Sequence, residues 1–183
     1  RVIDAHSVTL FERHGVSVAM VSVSEVYGPI DRARLRELLR SVEEDADVTV
    51  VNVHWGVEYE HVPRKGQRDL AIIMARSGAD VIVGHHPHVI QGVEIIEGVP
   101  VFYSLGNFIF DQAFSREVTE GYAVSVSVDL PAGSPIRLEI EMLPYRSRDF
   151  IPAWLEEHER RGVLERLAEW SFGESAFRDQ IRD

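Results

Sequence analysis

The 183-residue chain contains no cysteine, which excludes disulfides and thiolate metal ligands but leaves the redox compartment open. No segment approaches the roughly 20 consecutive apolar residues that a membrane-spanning helix needs, and no secretory signal pattern is present. Positive charge is scarce: 19 Lys and Arg stand against 30 Asp and Glu, a formal net charge of −11. That balance repels phosphate backbones, and no basic patch with interleaved aromatics offsets it. Nucleic acid is therefore not an expected partner. Internal repeats, low-complexity tracts and linkers are also missing, so a single domain is the economical reading of residues 1–183. The first residue is Arg1 rather than methionine, as in a processed product or one piece of something longer.

What the chain does have is histidine in one place. Five of its eight histidines fall between His54 and His88. The apolar run Val81-Ile82-Val83 leads into Gly84-His85-His86-Pro87-His88, and the strand-like Val48 to Val53 leads into His54-Trp55-Gly56. Both clusters thus sit where a strand is expected to end.

Around them, Ser7 to Phe11 and Val16 to Val23 read as a hairpin turned at His14-Gly15. A helix is expected after Gly28-Pro29, capped by Asp31, with Leu35, Leu38, Leu39 and Val42 on its inner face and its charges in solvent. Pro63 opens a second helix in which Leu70, Ile73 and Met74 share a face, and Gly78 stops it. Strand, helix, strand with both histidine clusters at strand C-termini is a βαβ unit, and open α/β sheets bind ligands at that edge. Val93 to Ile96 and Val99 to Tyr103 read as strands about Glu97-Gly98. Tyr122 to Leu130 and Ile136 to Leu143 form a half-exposed antiparallel pair around the loop Pro131 to Pro135. From Ile151 onward the composition is helical, with Gly162 a candidate break between two helices and the last dozen residues a frayed or packed tail.

Neutral imidazole is a good ligand for divalent transition metals, and strand ends hold ligands rigidly. Two of His85, His86 and His88 are expected to bind, with the third orienting a neighbour or the substrate. Gly84 would let the backbone pass close to a ligand, and Pro87 fixes the loop's φ. Trp55, Glu58 and Tyr59 form a compact group with His54, in which Glu58 can serve as general base, substrate contact or partner of a histidine. Asn107 can offer its amide oxygen to a metal, hydrogen-bond substrate or simply make a turn. Asp111 is the other nearby carboxylate. His6, His14 and His158 read as structural, and His61 as surface or site rim.

The segments His54 to Tyr59, Gln67, Gly78 to Gln91 and Tyr103 to Gln112, in this order and spacing, resemble the bacterial poly-γ-glutamate capsule-synthesis proteins of CapA type. The resemblance is dense from about Val48 to Gln112. It implies a calcineurin-like metallophosphoesterase fold, a β-sandwich of two sheets flanked by helices in four α/β/β/α layers. It implies a metal-dependent hydrolase of phosphoesters or γ-glutamyl polymers in the cell envelope, with one or more divalent ions for which manganese, zinc and iron are all compatible. Metal ligands would come from His54, His85, His86 and His88, with His85 first and His86 or His88 as its partner. His54 and Glu58 would be catalytic, and Trp55, Tyr59, Gln91, Ser104 and Asn107 would touch substrate. The partner would be an anionic polymer or a small phosphoester. The amino-terminal Gly-Asp and Asn-His motifs of that family are not matched, so the chain resembles a carboxy-terminal half whose other half, or another capsule-machinery subunit, would supply further ligands. Asp4-Ala5-His6 has the Asp-x-His spelling but precedes no strand of the right kind and reads as coincidence. A non-catalytic polymer-binding or export subunit is the rival from a different class.

Overall fold

A computed structural model of the protein describes residues 6–129, 136–173 and 180–181. The loop around Pro131 to Pro135, most of the expected tail, and Asp4 and Ala5 fall outside them. The hairpin is β1 (His6–Arg13) and β2 (Val16–Ser24), in antiparallel register from His6↔Val23 to Arg13↔Val16. Its turn places His14 and Gly15 at φ 53° and 78°, the left-handed pair that suits a two-residue hairpin. Helix α1 (Arg32–Asp45) starts where Asp31 accepts from the amides of Ala33 and Arg34 and buries Leu35, Leu39 and Val42. Strand β3 (Val48–His54), helix α2 (Lys65–Ala75) and strand β4 (Val81–His85) complete the expected βαβ path.

The chain then turns through β5 (Ile90–Ile96) and β6 (Val99–Leu105). The larger sheet has the order β1-β2-β3-β4-β6-β5, with β2, β3, β4 and β6 parallel and antiparallel strands at both edges. Valines fill both faces of its central strands, the pattern a parallel sheet needs when it is covered on two sides. One face buries Ala19, Val21, Val51 and Val53 against Leu35 and Leu39 of α1 and Leu70 and Met74 of α2. On the other, Val81, Val93 and Phe102 pack with Tyr122 and with Val163, Leu164 and Leu167.

That second face carries a smaller antiparallel sheet, β7 (Glu120–Asp129), β8 (Arg137–Arg148) and β9 (Ile151–Trp154), and helix α3 (Glu157–Trp170). Mostly parallel and antiparallel sheets with helices agree with the α/β reading. Two local expectations are corrected. Ile151 to Trp154 is a strand, because Asp149 and Phe150 both take positive φ (50° and 65°) and fold the chain back onto β8. Gly162 does not divide the last helix. Burial of Val163, Leu164, Leu167 and Ala168 on one face offsets the ~1 kcal/mol that a helical glycine costs.

Candidate metal centre

His54 and His85 end adjacent parallel strands and face each other in register, so the sheet itself sets them side by side. Strand β4 runs through His85, which makes Gly84 and His85 strand residues rather than loop residues. This also corrects the expectation for Gly84. A Cβ there would lie 2.1 Å from the Tyr103 carbonyl oxygen and 2.5 Å from the Trp55 indole nitrogen, so the close approach is to protein and not to a ligand.

Beyond the strand the backbone is forced. His86 and His88 have φ of 102° and 62°, and Tyr59 across from them has 64°. Three side chains with β-carbons held in left-handed conformations cost of order 1–3 kcal/mol each, and such conformations cluster where geometry serves a function. The Tyr59 amide donates to the Pro87 carbonyl (2.8 Å), and the Trp55 amide donates to the His85 carbonyl (3.1 Å), so the two loops are stitched together.

The result is a group of three donors, Glu58, His86 and His88, whose ligand atoms all lie within 4.8 Å of one another. His88 Nε2 is 3.9 Å from Glu58 Oε1. The other ring nitrogen of His88 meets Asn107 Oδ1 at 2.8 Å. Since Asn107 Nδ2 donates to the Val118 carbonyl (3.2 Å), its oxygen is the acceptor, Nδ1 of His88 carries the proton and Nε2 keeps its lone pair for a metal. The mixed nitrogen and oxygen set fits manganese, zinc or iron, and the residues present therefore suit a divalent ion. The His54 ring lies 4.8 Å from that of His86, and His85 sits beside His54 on the sheet.

Burial favours the neutral form of the His54, His85 and His86 rings. Burial lowers the pKa of His54, helped by His86 and His88, and burial lowers that of His85, helped by His54. For His86 burial again dominates the lowering, with Glu58 pulling the other way and His88 adding to it. The folded chain then binds fewer protons than the unfolded chain just below the ordinary imidazole value of 6.5. Stability from these groups is complete above that value and is lost as pH falls through the depressed ones. Metal affinity, which needs unprotonated imidazole, has the same sign. Titration with Mn2+ or Co2+ is expected to give affinity that holds down to about pH 6.5 and falls below it; a decline starting well above pH 7 would contradict this.

The remaining expected residues divide by exposure. Tyr59 is exposed at the rim, stacks on His88 with ring centroids 5.9 Å apart, and its hydroxyl accepts from Gln112. Asn107 is nearly buried and holds His88. Trp55, Gln91 and Ser104 are enclosed. The Trp55 indole donates to the Tyr103 carbonyl at 2.9 Å. Gln91 accepts from Gln67 (2.9 Å) and donates to the Glu60 carbonyl (2.7 Å), which ties the Glu58 loop to β5. Gln91→Ala strands both partners and is expected to lower unfolding free energy by ~1–3 kcal/mol in a urea titration, against which an unchanged midpoint would count. Asp111 is exposed and lies outside the donor group. His61 Nδ1 donates to the Ile90 carbonyl (2.9 Å) and its ring stacks on Trp170, while His14 and His158 are exposed and outside the donor group.

Two contributors carried no role in the sequence reading. Phe110 packs on His88 with centroids 5.0 Å apart, and Gln112 bridges Tyr59 and Asn107. Both lie in the Tyr103 to Gln112 motif, which was the available signal. Glycine at 106 makes this motif's return possible: φ is 79°, and a Cβ would come within 2.6 Å of the Glu120 carbonyl.

Comparison with known proteins adds the decisive observation: the family described as "Bacterial capsule synthesis protein PGA_cap" matches residues 4–112. The chain belongs to that family. Its reach back to residue 4 takes in the hairpin and α1, beyond the segment in which motifs alone show a dense resemblance. The PGA biosynthesis protein CapA of Bacillus subtilis is 40% identical over 116 residues, 56% of this chain and 30% of that protein. The capsule biosynthesis protein CapA of Bacillus anthracis is 53% identical over 72 residues, 39% of this chain and 18% of that protein. The chain thus spans less than a third of the curated relatives it matches. A hypothetical protein from Thermus thermophilus shares the fold, with a TM-score of 0.51 at 17% identity over 75% of this chain and 61% of that one.

Proposed function

We propose that this chain carries part of a metal-dependent site of a capsule-synthesis protein, and that the site hydrolyses a phosphoester or a γ-glutamyl linkage in an envelope polymer. The observation that carries the reading is the Glu58, His86 and His88 donor set with His88 held in its ligating tautomer by Asn107. The CapA relatives, named for capsule and PGA biosynthesis, support the pathway.

Glu58, His86 and His88 would hold the ion, with His54 the next imidazole in reach of His86. A divalent ion in such a site polarises a phosphoryl or carbonyl oxygen and makes water a better nucleophile near neutral pH. Glu58 is half exposed and can alternatively take a proton from the attacking water, which makes it ligand or base according to which oxygen is engaged. Tyr59, Phe110 and Phe114 would form an aromatic wall beside the ion, with Tyr59 and Phe114 in edge contact at 5.4 Å. The anionic polymer would meet the metal rather than the protein surface, since the chain's own charge is −11. The remaining length of a CapA-sized protein, or another capsule subunit, would complete the coordination.

The test is a screen of the metal-loaded protein against a chromogenic phosphodiester and poly-γ-glutamate, beside His86→Ala and His88→Ala. Turnover that chelator and either substitution abolish supports the proposal. Polymer binding with no turnover and no response to chelator would instead mark a binding or export subunit.

A further inference from the structure

Strand β1 is the outermost strand of the larger sheet and pairs only with β2 among the described residues. The opposite edge is partly occupied: on β5 the Val93 amide donates to Ser171 Oγ, and the Phe172 amide donates to the Val93 carbonyl. The free edge carries none of the usual devices against strand pairing. Its sequence His6-Ser7-Val8-Thr9-Leu10-Phe11-Glu12-Arg13 has no proline, glycine or lysine. Its register to β2 runs through eight consecutive pairs without a bulge. Val8, Leu10 and Phe11 are 38%, 54% and 48% exposed, and the only charges within Ser7 to Arg13 are Glu12 and Arg13, which cancel. Long, flat, apolar edges of this kind recruit another strand.

We infer that the recruit is a second copy of this chain, with β1 pairing antiparallel to β1 about Thr9. The sequence is self-complementary in that register. Thr9 opposes Thr9, Val8 opposes Leu10 of the second copy, and Ser7 opposes Phe11. Val8 and Leu10 lie on one face, so the two-fold brings four aliphatic side chains together, and Glu12 falls directly opposite position 6 rather than opposite Glu12 of the second copy. Ser7 to Arg13 carry no net charge in a chain whose total is −11, so this seam adds no like-charge repulsion of its own. The two sheets become one of double width, and both metal centres stay open, because they lie at the strand ends and not along β1. One strand pair is a small interface, so the dimer is weak and concentration-dependent.

Sedimentation equilibrium on the intact chain from about 1 µM to about 1 mM, spanning the weak regime, is the test. The weight-average mass is expected to climb from 20.7 kDa toward twice that value. Val8→Lys or Leu10→Glu alone is expected to weaken association at least about tenfold. In the double variant each introduced lysine faces the other copy's introduced glutamate, and association returns to within about threefold of the original. Circular dichroism melts confirm that each variant folds. A monomer throughout, or a dimer that ignores these substitutions, overturns the proposal. Loss in the single variants without recovery in the double overturns the register. A monomer that captures a synthetic extended peptide assigns the edge to a foreign strand and overturns self-pairing.

Discussion

His88→Ala is expected to weaken divalent-metal binding by more than ~100-fold, and Asn107→Ala by ~10–100-fold, with both variants folded. In the proposed site His88 would supply a ligand nitrogen directly, whereas Asn107 would act by holding the proton on Nδ1 and leaving the lone pair on Nε2. Substitution with Asp at position 107 keeps an acceptor and is expected to recover most of the loss, because a carboxylate takes the same Nδ1 proton. Calorimetric titration with Mn2+ reads all three. Equal losses for His88→Ala and for His158→Ala, whose side chain is exposed and outside the donor group, would show that the effect is not local.

Gly84→Ala is expected to be the most destabilising single change near the site, by ~4 kcal/mol or more in urea denaturation. The added carbon would sit 2.1 Å from the Tyr103 carbonyl oxygen, which cannot retreat because it belongs to the backbone of β6 and already accepts the Trp55 indole proton. Strand β4 would have to part from β6, carrying His85 and the His86 to His88 loop with it, so metal binding should fall together with stability. Gly15→Ala serves as the comparison. No atom lies within 4 Å of a Cβ at Gly15, and the cost there is only that of its positive φ. If Gly84→Ala cost no more than Gly15→Ala, the close approach would not matter to the fold.

The parts of the molecule that follow from local pattern are legible in the sequence. The Asp31 cap, the Leu35, Leu39 and Val42 stripe, and the valine runs ending at His54 and His85 each rest on interactions within a few residues or on simple periodicity. The motif residues His54 and His85 stand at the carboxyl edge of those strands, as the pattern implied. Chemistry that depends on distant partners was not legible. Trp55 stands between a histidine and a glycine and looks like a substrate contact, yet its indole is spent on Tyr103, 48 residues away. Gln91 has the same history, with partners at Glu60 and Gln67. The grouping of His86 and His88 with Glu58 follows from backbone direction: both take positive φ, whereas His85 stays on the strand beside His54. The strand at Ile151 to Trp154 was hidden for a related reason. It exists because β8 lies beside it, and nothing in four residues announces that.

Glu58 joins the two histidines through the path of its loop. It is an exposed loop glutamate by composition, but the hydrogen bond from Tyr59 to Pro87 folds its loop over the histidines and brings it within ligand distance.

The central claim is that Glu58, His86 and His88 share one divalent ion. Anomalous diffraction from crystals of the chain grown with Mn2+ tests it most directly. The account predicts one strong peak bounded by Glu58, His86 Nε2 or Nδ1, and His88 Nε2, at about 2.0–2.3 Å from each ligand atom. A peak lodged instead between His54 and His85, or no peak at saturating Mn2+ with the three side chains well ordered, would contradict it.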